Sequence, residues 1–400
     1  MGRDEMRYRK TLAALLIGLL AVLVAAPAVT AAPKYVSKNL KLVTNIRIPG
    51  GTELAAQGKY LYAGQMDGGA EPPGRGTKPD QGGIHIIDVS GRTPKEVGFL
   101  HCAGDDNDVE VVKPGLLAVA HHTSKCNMVG NGMYLVDVSN PRKPRVTGTI
   151  AVPSGHTLKP YPGTPYVYVS PGGLANGAGV EHIIDVSDPH NPKDVAQFKP
   201  NPTGCHDLSF YIAKDKKLAF CSGLGETQIW DVSDPLAPVT ISHIANPLIE
   251  FEHYPVASSD GKYLAIDDEA FALHECKSHQ TPTGRVWIYD ISNPQVPLPV
   301  GSYAAPRGGD STGIGTDTGW IPTWCLSHGL DWLPGTHKLA VTWFTGGVSV
   351  LDLDAQGLPE EIAYFQAPDS ATYSALWHDG RLYTNDSIRG VDAFEFDPGK

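Results

Sequence analysis

Four histidines recur in similar company along the chain: His156-Thr157-Leu158, His206-Asp207-Leu208, His253-Tyr254-Pro255 and His328-Gly329-Leu330. Imidazole nitrogens suit Zn, Cu, Fe and Ni better than Mg or Ca. Several converging on one point would hold such an ion at nitrogen distances of about 2.0–2.1 Å. Carboxylates stand close to this series in Glu53, Asp108, Asp207 and Glu252. A carboxylate can orient a ligating imidazole by accepting its second ring N–H, or serve as a general base. The chemistry implied is metal-dependent oxidation or hydrolysis, with a transition metal (Zn, Cu, Fe or Ni) as cofactor. The alternative is a structural role, in which each imidazole bonds the backbone or an acid of a neighbouring element and the protein is a non-catalytic binding module or scaffold. No nucleophile elbow, P-loop or dinucleotide fingerprint stands in a supporting context.

The elements that would position these residues are set by a repeat. Ile86-Ile87-Asp88-Val89-Ser90 is followed by Leu135-Val136-Asp137-Val138-Ser139-Asn140-Pro141, Ile183-Ile184-Asp185-Val186-Ser187-Asp188-Pro189, Ile229-Trp230-Asp231-Val232-Ser233-Asp234-Pro235 and Ile288-Tyr289-Asp290-Ile291-Ser292-Asn293-Pro294. Val350-Leu351-Asp352-Leu353-Asp354 and Ala393-Phe394-Glu395-Phe396-Asp397 are degenerate sixth and seventh copies. A spacing of roughly 45–60 residues suits propeller blades. Branched and aromatic residues make the phrase a strand, and Ser-Asn/Asp-Pro makes the turn that ends it. A short strand follows each turn, and two more, joined by a tight turn, precede each phrase, as in Leu208–Ile212 with Leu218–Cys221 and Tyr254–Ala257 with Tyr263–Ile266. Four strands per repeat make one blade. The last repeat supplies three strands, and an extra strand over Leu40–Ile48 precedes the first phrase. The fold expected is therefore an all-β, seven-bladed propeller whose last blade is completed by an N-terminal strand, leaving no free edge.

This arrangement gives the histidines a common place. They stand in one column at the start of the innermost strand of blades three to six, with Thr52, Asn107 and Ser374 in that column elsewhere. Equivalent positions of innermost strands surround the central channel. Strand alternation puts neighbours such as Asp207 on the opposite face from the histidine beside them.

The repeated phrase resembles the LVIVD-repeat family over roughly Ile84 to Asp397, and that resemblance implies a β-propeller. It implies no particular activity, because propellers host enzymes, binding modules and scaffolds alike. By geometry alone, a four-histidine ring on seven blades is similar to the iron centre of carotenoid-cleaving oxygenases and to the histidine-rich channel of selenium-binding/methanethiol oxidase propellers.

Composition agrees with many short elements. The 400 residues include 44 Gly and 33 Pro, with 41% hydrophobic and 19% charged residues, which excludes a disordered chain and argues against a helical bundle. The net charge of −11 makes nucleic acid and anionic membranes poor partners. Residues 1–31 read as a signal peptide. Arg7, Arg9 and Lys10 precede an apolar run from Leu12 to Ala26, and Val29-Thr30-Ala31 offers a cleavage site. That run of about 15 residues is short for a spanning helix, although an uncleaved anchor is the alternative. Residues 32–400 form the single propeller, placed outside the cytoplasm with no membrane span in the mature chain, and a monomer is expected. Six cysteines fit that compartment and allow 15 pairings. Strand positions favour Cys102–Cys126, Cys205–Cys221 and Cys276–Cys325. Two Gly/Pro-rich loops, Met66–Gly83 and Arg307–Trp324, are expected at the channel mouth, where they would receive a small molecule or a protein.

Overall fold

Among the described residues, the chain is built from 29 strands and the elements follow the repeat. The computed structural model describes residues 35–48, 50–66, 82–101, 108–121, 132–153, 155–171, 179–199, 204–269, 284–307 and 326–399. The candidate signal peptide, residues 67–81 and 308–324 of the two long loops, and Cys102, Cys126, Cys276 and Cys325 lie outside them.

Two strands come first, β1 (Tyr35–Val36) and β2 (Leu40–Ile46). Blade one is β3 (Gly51–Gln57), β4 (Tyr60–Gln65), β5 (Gly83–Asp88) and β6 (Lys95–His101); blade two is β7 (Val109–Lys113), β8 (Leu116–His121), β9 (Gly132–Asp137) and β10 (Arg145–Ala151). Blade three is β11 (Thr157–Pro160), β12 (Tyr166–Ser170), β13 (Glu181–Asp185) and β14 (Lys193–Phe198); blade four is β15 (Asp207–Ile212), β16 (Lys217–Ser222), β17 (Thr227–Asp231) and β18 (Val239–Ile244). Blade five is β19 (Glu252–Ala257), β20 (Tyr263–Asp268), β21 (Val286–Asp290) and β22 (Leu298–Tyr303); blade six is β23 (Leu330–Trp332), β24 (Lys338–Thr342), β25 (Val348–Leu353) and β26 (Pro359–Gln366). Blade seven is β27 (Thr372–His378), β28 (Arg381–Asp386) and β29 (Gly390–Phe396), with β2 as its outermost strand. The fold is a seven-bladed antiparallel propeller closed by an N-terminal strand, in register Leu40↔Phe396 to Ile46↔Val391. The two-residue β1, unforeseen in the sequence, adds a fifth strand to blade six through Tyr35↔Gln366 and Val36↔Phe365.

The repeated phrase works as its chemistry suggests. Asp88, Asp137, Asp185, Asp231 and Asp290 each accept the backbone N–H of the serine two residues on, at 2.8–3.0 Å. These side chains close the turn, which Pro141, Pro189, Pro235 and Pro294 make rigid in the last four of these copies. In every blade the pairing of the third strand with the fourth carries a register shift, such as Ile86/Ile87 and Ile288/Tyr289, which adds local twist.

The hydrophobic core lies between blades. Tyr263, Val286 and Ile288 of blade five pack on Trp332, Leu339 and Val341 of blade six, and Tyr168 and Ile183 of blade three pack on Leu208 and Trp230 of blade four. Middle strands such as β8 and β20 are buried along their whole length, whereas the outer β6 and β10 are mostly half-buried or exposed. The rigid middle strands hold the innermost strands around the channel.

Candidate metal centre

Backbone bonds fix where each histidine sits. The N–H groups of His156, His206 and His328 donate to Ser170 O at 2.8 Å, Ser222 O at 2.6 Å and Thr342 O at 3.1 Å. Those carbonyls end the second strand of blades three, four and six, so each imidazole leaves the main chain at the same level. His253 lies within β19, at a register shift between Glu252 and Pro255. Gly329 is required by close packing beside His328, since a Cβ there would lie 2.8 Å from Ser374 Cα.

The four rings form an arc. Centroid distances are 4.3 Å from His156 to His206, 4.5 Å from His206 to His253 and 4.5 Å from His253 to His328. Tyr373 continues the arc in blade seven at 4.0 Å from His328. It, rather than Ser374, holds the histidine position there. Ser374 Oγ donates to Thr52 O as Thr157 Oγ1 donates to His206 O, which shifts the sequence alignment of blade seven by one residue. His206, His253 and His328 are buried, and the buried rings of Phe251 and Phe344 stand edge-on to His206 and His328, each at 4.9 Å.

Carboxylates set the polarity of the arc. His206 Nδ1 is 2.9 Å from Asp207 Oδ2, and the same oxygen is 3.3 Å from His253 Nε2. The alternation expected for Asp207 does not hold, because His206 lies in a bend ahead of β15; Asp207 faces the channel next to it. His253 Nδ1 is 3.1 Å from the fully buried Asp267, which also accepts the N–H of Tyr254. Glu269 reaches His253 Nε2 at 3.5 Å and His328 Nε2 at 3.6 Å. His328 Nδ1–H donates to Tyr373 O at 3.0 Å, so in the neutral ring Nε2 carries the lone pair and faces Glu269. Two acceptors facing each other repel unless a proton or a cation lies between them.

Burial opposes a charge on His253, but Asp267, Glu269 and Asp207 outweigh it and hold this imidazole well above the usual range. Burial would raise Asp207; the His206 hydrogen bond and the charges of His253, His206 and His156 instead hold it well below the usual carboxylate range. Burial and the neighbouring charge of His253 push His328 well below the usual imidazole range. One ligand atom from each of His206, His253 and Glu269 lies within 4.8 Å of the others, a spacing from which a small closure could hold a metal ion.

The remaining carboxylates named from sequence take separate places. Glu53 and Asp108 line the channel at the level of the arc, and Asp108 accepts Leu158 N–H at 2.7 Å. Glu252 turns away from the imidazoles and takes Thr227 Oγ1 and the N–H of Asn246 between blades four and five. Cys205 and Cys221 form a disulfide. His85, His182 and His243 pair within their blades with Glu96, Asp194 and Glu226, and His337 of blade six reaches Asp260 of blade five. Trp377 packs in the core against Phe396. Asp267 and Glu269 were not singled out from sequence. Their signal was the acidic run Asp267-Asp268-Glu269, where the second strands of blades three, four and six end in Ser170, Ser222 and Thr342.

The LVIVD repeat family model matches residues 128–152, the copy that carries β9 and β10. This match and the seven-bladed ring fit the LVIVD-repeat propeller family. No curated protein matches the chain.

Proposed function

We propose that this is an exported metalloprotein whose channel binds one divalent transition metal and uses it for hydrolysis or oxidation of a small molecule. The observation that carries this reading is the convergence of His206, His253 and Glu269. Two imidazoles and a carboxylate are the protein donors of open Zn sites in hydrolases and of Fe(II) sites in oxygenases, and both leave positions for water and substrate. His328 stands against Glu269 as a further donor, and His156 closes the arc on the other side. Asp267 and Asp207 would hold His253 and His206 in the orientation a ligand needs. Export is read from residues 1–31. The Cys205–Cys221 disulfide is compatible with it, and no helix among the described residues is long and apolar enough to cross a membrane.

A second reading rests on one observation: His253 lies 3.1–3.5 Å from three carboxylates, Asp267, Asp207 and Glu269. A protonated His253 could hold those acids together with no metal, in a scaffold whose loops hold a partner.

Elemental mass spectrometry separates the two. The mature protein, made in an oxidising compartment without a His tag, is compared with His206→Ala/His253→Ala and with Glu269→Gln. Near-stoichiometric Zn, Cu, Fe or Ni that is lost in both variants is the expected result. No metal after reconstitution, with variants that are merely less stable, refutes the metal centre.

A further inference from the structure

The channel opens beside His253 and His328 into a cavity of about 230 Å³. It is smaller than the pockets that hold drug-sized ligands. Lys159 is the sole Lys or Arg side chain among its described lining residues. The Lys159 ammonium is already matched by Glu110, against which its Nζ is paired, and it lies 5.6 Å over the Tyr254 ring. Asp207 is likewise matched by His206 and His253.

Three carboxyls of the same wall, Glu53, Asp108 and Asp331, form no ion pair among the described residues, and the Lys159 ammonium acts on each only from a distance. Asp108 is only 7% exposed, and one oxygen accepts Leu158 N–H while the other has no hydrogen-bond partner among the described residues. Glu53 faces the cavity with no hydrogen bond to a described residue. Asp331 accepts Trp377 N–H at 2.6 Å. Burial raises all three carboxyls, Glu53 well above its usual range, Asp108 to about 8 and Asp331 to about 7, so they carry their full charge only when a cationic donor enters beside them.

We infer that this chamber binds a small primary ammonium compound, held by Glu53, Asp108 and Asp331 on the substrate side of the metal centre. An alkylammonium has three N–H donors and no acceptor, which complements three carboxylates. A carboxylate or phosphate ligand would face the carboxyls of Glu53, Asp108, Asp207 and Asp331, with only Lys159 and His253 to attract it. For its catalytic meaning this inference rests on the metal reading; binding itself does not require the metal.

The test is calorimetric titration with 1,4-diaminobutane, 1,4-butanediol and succinate, which share a four-carbon skeleton and differ in the charge of their ends. Each is titrated into metal-loaded protein, chelated protein and His206→Ala/His253→Ala. The diamine is expected to bind at least about tenfold more tightly than the diol, and succinate not at all. Glu53→Gln and Asp331→Asn should each weaken the diamine by about fivefold or more, and Lys159→Met should tighten it. A thermal midpoint taken for each variant identifies any that fail to fold, and the isosteric Glu53→Gln then carries the comparison. Diol binding equal to diamine binding, no diamine binding, or diamine binding unmoved in Glu53→Gln/Asp331→Asn overturns the inference. Diamine binding to a parent protein that takes up no metal on reconstitution supports it while the metal reading falls. Metal bound normally with the diamine ignored sinks this inference alone.

Discussion

Replacing Asp267 by Asn probes the centre most sharply. Asp267 is fully buried, and one oxygen lies 3.1 Å from His253 Nδ1 while the other accepts Tyr254 N–H. As a carboxylate it can only accept, so it draws the proton to Nδ1 and leaves Nε2 facing Asp207 and Glu269. The asparagine amide can keep the Tyr254 bond with its oxygen, but its NH₂ then faces Nδ1. That favours the opposite tautomer, with Nε2 protonated and unable to ligate. Loss of such a partner lowers metal affinity by about 10–100-fold, or about 1.4–2.8 kcal/mol. Competition for Zn²⁺ against a fluorescent chelator measures the affinity, and a melt of the chelated variant measures the fold separately. Affinity within about twofold of the parent, with an unchanged melt, would refute the assignment of Nε2 as a ligand atom and of Asp267 as its positioning residue.

Other outcomes follow from named contacts. Arg389→Met leaves the buried Asp392 without its guanidinium partner and should cost about 3–5 kcal/mol; a loss below about 1 kcal/mol in denaturant unfolding would show that the pair is not a stabilising clasp. Burial raises Glu181 to about 8 and Asp386 to about 6 from their usual 4.5 and 3.8, so the folded state holds protons the unfolded state releases. Their contribution is complete below the unfolded values and is lost as pH rises through the folded ones, so the melting temperature should fall between pH 5 and pH 8, which scanning calorimetry across that window checks. Cys205→Ala/Cys221→Ala opens a link with a sequence separation of 16 and should cost about 3 kcal/mol; a melt equal to that of the parent under oxidising conditions would contradict this.

The ring was legible because each blade repeats one phrase whose residues have single-valued local consequences. Asp-Val-Ser fixes a turn wherever it occurs, and the strand before it is bounded as a result. The column of histidines was legible for the same reason, since repeats convert sequence position into height along the channel. What escaped depended on departures from the repeat. Glu269 lies one residue past the end of β20, and β20 runs two residues further than its apolar pattern Tyr263–Ile266 suggests. Tyr373 was displaced by the register shift between Thr372 and Ser374, which no periodicity reveals. Glu252 was expected near the imidazoles by adjacency alone, yet Thr227 and Asn246 draw it into the seam between blades.

The closure of the ring also fixes an order of events. Asn45 on β2 bonds Asp392 on β29, partners 347 residues apart. Joining chain ends so distant carries a loop-closure entropy that grows with the logarithm of their separation, and contacts of this range form slowly. As the chain is synthesised, β2 emerges among the first strands and has no partner until the last has appeared. Until then blade seven has three strands, and the outer edge of β29 presents unpaired N–H and C=O groups to any other strand nearby. The final pairing is thus a single late step shared by both termini, and trimming either β2 or β29 would reopen the same seam.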